Sequence, residues 1–118
     1  GGIRMIEPAT YNIEAYQGAT YTLNMTYKID GVVVDLTGYT AAMQVRVSPG
    51  SVATILSLES GVEITLGGAA GTIAVEVSAA VMAAVVAGNY QYDFDLNAGS
   101  QVTRLIRGKF TVVAEITK

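Results

Sequence analysis

The sequence predicts an all-β fold, an antiparallel sandwich or barrel with one short helix, from three features of its pattern. Apolar and polar residues alternate with period two along most of the chain, and Gly, Asn, Asp and Pro interrupt the alternation at short intervals. A single alanine-rich stretch departs from that period. The size fits one domain: 118 residues, 51% of them hydrophobic, supply apolar surface for one core and leave no room for a second. That domain is expected over residues 5–118, with residues 1–4 read as a cloning remnant ahead of a native start at Met5.

The elements follow in order. A first strand is predicted over residues 11–16. The clearest alternation covers 21–29, where Tyr21, Leu23, Met25, Tyr27 and Ile29 face one way and Thr22, Asn24, Thr26 and Lys28 the other. Asp30-Gly31 tolerates positive φ and leads into Val32-Val33-Val34, which predicts a tight hairpin. Gly18 and Gly38 suit tight turns ahead of strands, and the Asp35 side chain can accept from backbone amides just beyond it. Alternation resumes over 39–48 with Tyr39, Ala41, Met43, Val45 and Val47 on one face, until Pro49-Gly50 ends it. Shorter strands are predicted over 53–58, 62–66, 72–77, 90–96, 102–107 and 109–116.

The alanine-rich exception predicts a helix over 78–87. Ser78 suits an N-cap, alanine is the best helix former, and Gly88 falls at the position just past the C-terminus. Val81 with Val85 and Met82 with Val86 are spaced four apart, so these four residues form the candidate interface stripe. No charged residue occurs across 79–87. A neighbouring subunit covering part of the helix accounts for that, and so does alanine's small apolar area left in water.

Composition narrows the chemistry. Without His or Cys the chain has no imidazole switch, no thiol nucleophile and no disulfide. Seven Lys+Arg against ten Asp+Glu leave a formal charge of −3, so no nucleic-acid partner is expected. No membrane span is expected either, since the longest apolar run, 79–87, is far short of the ~20 residues a bilayer helix needs.

Asp93 and Asp95 project from one strand face while Tyr92, Phe94 and Leu96 go inward, which invites an acid–base or calcium reading. The plainer reading is a solvated face, or pairing with Arg104 or Arg107 on the next strand. The glycine-rich loop 67–71 lacks the Lys-Ser/Thr ending and the following helix of a phosphate cradle, and reads as a hairpin loop. Seven tyrosines would suit a glycan platform if they clustered outside, but several fall on inward positions of their strands. No catalytic constellation, cofactor site or metal site is predicted.

Three stretches carry a resemblance: Tyr16-Gln-Gly-Ala-Thr-Tyr21, then Asp30-Gly31 leading to Asp35-Leu-Thr-Gly-Tyr39, and Ala87-Gly-Asn-Tyr-Gln-Tyr-Asp93 leading to Thr103-Arg-Leu-Ile-Arg-Gly-Lys109. Their order and spacing resemble a family of small tailed-bacteriophage structural proteins, related in pattern to the amino-terminal domain of baseplate upper proteins. The resemblance covers nearly the whole chain from Tyr11. It implies an immunoglobulin-like sandwich without enzymatic activity, located in the virion after assembly in the host cytoplasm. It implies other virion proteins as partners, and repetition of a single-domain tail, baseplate or connector accessory by symmetry implies a homo-oligomer. A glycan-binding or adhesion module of immunoglobulin-like fold is the alternative.

Overall fold

Alternating side chains flip between the two sides of a strand, so the apolar set of each strand finds one common interior. The fold is a computed structural model describing residues 9–48 and 54–114. The expected remnant at 1–4, the Pro49-Gly50 turn, the start of the strand at Ala53 and the end of the last strand at 115–116 lie outside the described residues.

The strands are β1 (Ala9–Thr10), β2 (Ile13–Tyr16), β3 (Tyr21–Thr26), β4 (Lys28–Ile29), β5 (Val32–Val33), β6 (Thr40–Arg46), β7 (Thr54–Glu59), β8 (Ile64–Leu66) and β9 (Thr72–Val77). The helix α1 (Ala79–Ala83) follows, and then the long hairpin β10 (Gly88–Ala98) and β11 (Gln101–Val113). One sheet runs β1-β11-β10-β6-β7 with β2 also on β11, a second runs β3-β9-β8, and β4 with β5 forms a separate ribbon. The result is the predicted all-β sandwich with one short helix. In the larger sheet an early strand, β2, runs parallel to the last, β11. Pairing is antiparallel through most of the fold, as expected, with β1 and β2 running parallel to β11.

Several boundaries differ from expectation for local reasons. The predicted strand 21–29 divides at Tyr27, whose amide donates to Gly71 and whose carbonyl accepts from Val34, so β3 and β4 join different sheets. The strand predicted over 62–66 shortens because Gly61, at φ +89°, and Val62 form a turn after β7. The strands predicted over 102–107 and 109–116 are continuous through Gly108. The hairpin at Asp30-Gly31 is as expected, with both residues at positive φ between β4 and β5.

The helix spans five residues, Ala79–Ala83, rather than the whole of 78–87. Ser78 does cap it, its Oγ accepting from the Val81 amide at 3.2 Å. Gly88 is not the helix-ending glycine. The helix already ends at Ala84 in right-handed geometry, and Gly88 opens β10 opposite Val112. Entry into the long hairpin, rather than alanine propensity, sets the helix length.

The core brings together Ala41, Met43 and Val45 of β6, Tyr92, Phe94 and Leu96 of β10, Phe110 and Val112 of β11, and Ile73, Val75 and Val77 of β9. Tyr21 meets Phe110 edge-on at 5.6 Å between ring centroids. Leu36, predicted only as part of a turn, is also fully buried. The turn places it there: Asp35 Oδ1 accepts from the Thr37 amide at 2.9 Å and the Thr37 hydroxyl at 2.6 Å, and Gly38 turns at φ +83°.

Candidate functional site

Two surfaces gather side chains capable of recognition. The first is the outer face of β6, β10 and β11. Cross-strand register sets Gln91 between Arg46 and Lys109, Asp93 between Gln44 and Arg107, and Asp95 between Ala42 and Arg104. On a regular strand Arg104 and Arg107, three residues apart, would point to opposite faces. A bulge between Phe94 and Asp95 gives β11 one extra residue there, so both arginines share the outer face while Leu105 and Ile106 are partly buried.

Arg104 holds Asp95 in a fork, Nε to Oδ1 at 3.0 Å and Nη2 to Oδ2 at 3.4 Å. This pairing raises the arginine's pKa further. Asp93 Oδ2 sits more loosely between Arg104 Nε at 3.9 Å and Arg46 Nη1 at 4.0 Å. Arg46 also donates through Nη2 to Gln44 Oε1, while its Nε is buried without a hydrogen-bond partner. Gln44, Arg46, Gln91, Asp93, Arg104 and Arg107 line a cleft of about 280 Å³. Pairing of the two aspartates with Arg104 is thus present, while Arg107, opposite Asp93 in register, makes no ion pair with it. Arg46 escaped the sequence reading because it arrives from a strand distant in sequence. Its outward parity on β6 was the available signal.

The second surface is a groove of about 560 Å³ between β7 and the helical segment, lined by Ile55, Leu56, Val81, Val85, Val86 and Tyr90, among others. The four predicted interface residues do not form one stripe. Met82 and Val85 are buried in the core, whereas Val81 and Val86 are 45% and 72% exposed. The short helix causes the split, since Val85 and Val86 lie beyond its last turn and no longer follow helical spacing.

The motif residues occupy corners of the sandwich. Gly18 turns at φ +80° between β2 and β3, and Gln17 beside it donates through Nε2 to the Val85 carbonyl at 2.8 Å. Tyr90, at the start of β10, donates its hydroxyl to the Val86 carbonyl four residues upstream, the arrangement of a tyrosine corner. Nothing in the sequence marked these two side chains as the brackets of the helical segment. Tyr21 and Tyr92 serve the interior, and burial pushes both phenols up from their ordinary pKa. Tyr11 and Tyr16 are exposed. The loop 67–71 joins β8 to β9 through a short 3-10 turn, Gly68–Ala70.

Among the described residues, no group of three or more acidic side chains gathers as a metal site, and no helix is long and apolar enough to cross a membrane. No protein-family model and no curated protein sequence matches the chain.

Proposed function

We propose that this chain is a non-enzymatic structural protein of a tailed-bacteriophage virion, a tail, baseplate or connector accessory that acts through symmetric contacts between copies and with other virion proteins. The phage assignment rests on the ordered motif set from Tyr16 to Lys109, and the all-β sandwich is consistent with the immunoglobulin-like fold that the resemblance implies. The contact reading is carried by one observation. Exposed Val81 and Val86 line an apolar groove beside β7, the last strand of the larger sheet. A strand edge next to an apolar groove suits the addition of a segment from a second copy, with backbone pairing along β7 and side chains seated between Ile55 and Val86.

Light scattering over a concentration series tests this. The wild-type chain is expected to form a closed oligomer, and Val81→Glu to shift it toward monomer while the circular dichroism stays unchanged. A monomer at every concentration, or an oligomer indifferent to Val81→Glu, would overturn the contact between copies. The position of the coding gene tests the phage assignment separately: a place among tail or baseplate genes supports it, and a place in a non-viral operon counts against it.

A further inference from the structure

We infer that the cleft on the outer face of β6, β10 and β11 is a receptor site for a carboxylate, held by the guanidinium groups of Arg107 and Arg46. The inference is independent of the virion reading and of the groove beside the helix.

The first support is charge placement. A chain of formal charge −3 has seven Lys+Arg in total, yet Arg46, Arg104, Arg107 and Lys109 share one sheet face with Asp93 and Asp95. Glu14 on β2 and Glu59 on β7 balance the charge of the face as a whole, but the cleft itself is lined by three arginines against Asp93 alone, which gives an anion a preferred landing point. Donor accounting is the second. Arg104 commits its fork to Asp95. Asp93, however, lies 3.9 and 4.0 Å from its two arginine neighbours, well beyond the ~2.8 Å of a charge-assisted hydrogen bond, so it does not use up their donors. Arg46 is only partly committed: its Nη1 has Asp93 no nearer than 4.0 Å, and its buried Nε has no hydrogen-bond partner. Arg107 lines the same cleft and forms no fork of its own with Asp93 across the strand.

The dimensions and the wall then select the ligand. About 280 Å³ lies at the small end of ligand pockets, enough for a carboxylate and a short stem but not for a nucleotide. Because Arg104 is already neutralised by Asp95, the groups left facing the cleft are Arg46, Arg107 and Asp93, a net single positive charge that matches a monoanion better than a dianion. A planar carboxylate matches the guanidinium fork, and Gln91 adds an amide for its second oxygen. The carboxylate could belong to a small free acid or to an acidic side chain of a protein, and the two sources separate experimentally.

The test is a nitrogen-15 NMR titration of the full chain at low ionic strength with acetate, with the peptide acetyl-Gly-Glu-Gly-amide and with inorganic phosphate. Saturable shifts are expected at the Arg46 Nε–H and at the amides of Gln91 and Gly108. Arg107→Gln, an exposed position whose loss leaves the core intact, should weaken binding about tenfold. Peptide binding tighter than acetate identifies a protein-borne carboxylate, and equal binding identifies a free acid. The proposal is overturned by the absence of saturable shifts, by phosphate binding as tightly as acetate, or by an Arg107→Gln variant that titrates like the wild type.

Discussion

Gly108 lies so close to Tyr11 that a Cβ on the glycine would stand 2.5 Å from the Tyr11 carbonyl oxygen and 2.9 Å from Asn12 Oδ1. The missing side chain is what allows the crossing from β1 to β2 to lie against β11, where the Lys109 amide donates to Asn12 Oδ1 at 3.1 Å and the Tyr11 amide to the Arg107 carbonyl at 2.9 Å. Gly108→Ala must push this crossing away. The expected loss is about 1–3 kcal/mol, the usual cost of overpacking, read as a lower urea midpoint with unchanged slope. A wild-type midpoint would show that the crossing can move at no cost.

The hydroxyl of Tyr90 makes a different kind of tie. It donates to the Val86 carbonyl and so holds the exit from the helix against the start of β10. Tyr90→Phe keeps the ring in the core and removes only this bond, so the expected cost is about 1 kcal/mol. Amide exchange should rise across residues 84–88 and stay unchanged in β6. Uniform acceleration through the whole sheet would mean that the corner supports global rather than local stability.

The strand faces were legible in the sequence wherever register stayed regular. Tyr92, Phe94 and Leu96 alternate inward against Asp93 and Asp95 because nothing interrupts β10. The Asp30-Gly31 hairpin was legible because positive φ at both turn residues is a local demand. The bulge opposite Asp95 was not, since an extra residue in β11 leaves no compositional mark, and with it went the shared face of Arg104 and Arg107. Arg46 joined the cleft only through the pairing of β6 with β10, a long-range relationship that periodicity cannot supply. The helix is shorter than the expected 78–87 because alanine propensity is local, whereas entry into β10, braced by Gln17 and Tyr90 on the Val85 and Val86 carbonyls, ends it early.

Adjacent residues in that helix should answer mutation in opposite ways. Met82 is fully buried, and Met82→Ala leaves a cavity in the core at an expected cost of about 2–5 kcal/mol. Val81 is 45% exposed, and Val81→Ala replaces a β-branched residue by a better helix former, so its effect should fall within about 0.5 kcal/mol of zero. Chemical denaturation of the two variants checks the contrast. Equal losses would mean that the helix does not present Met82 and Val81 to different environments.

Alkaline pH should unfold the protein through its interior tyrosines. Burial raises the pKa of Tyr21 and of Tyr92, whose rings both meet Phe110 edge-on and whose phenolates would have to form away from water. The Tyr92 hydroxyl also donates to the Tyr11 carbonyl, a bond that ionisation would abolish. In the unfolded chain the same phenols ionise near the ordinary value of ~10. The folded pKa therefore lies above the unfolded one. The associated stability is fully present below about pH 10 and declines as pH rises toward the folded values. Ultraviolet titration should show Tyr21 and Tyr92 ionising only as the near-ultraviolet circular dichroism collapses, and Tyr92→Phe should reduce the pH dependence of stability above pH ~10. If both phenols ionised with the tertiary signal intact, water would have access to the interior between the two sheets, and the packing of Tyr21 and Tyr92 against Phe110 would have to be looser than its geometry indicates.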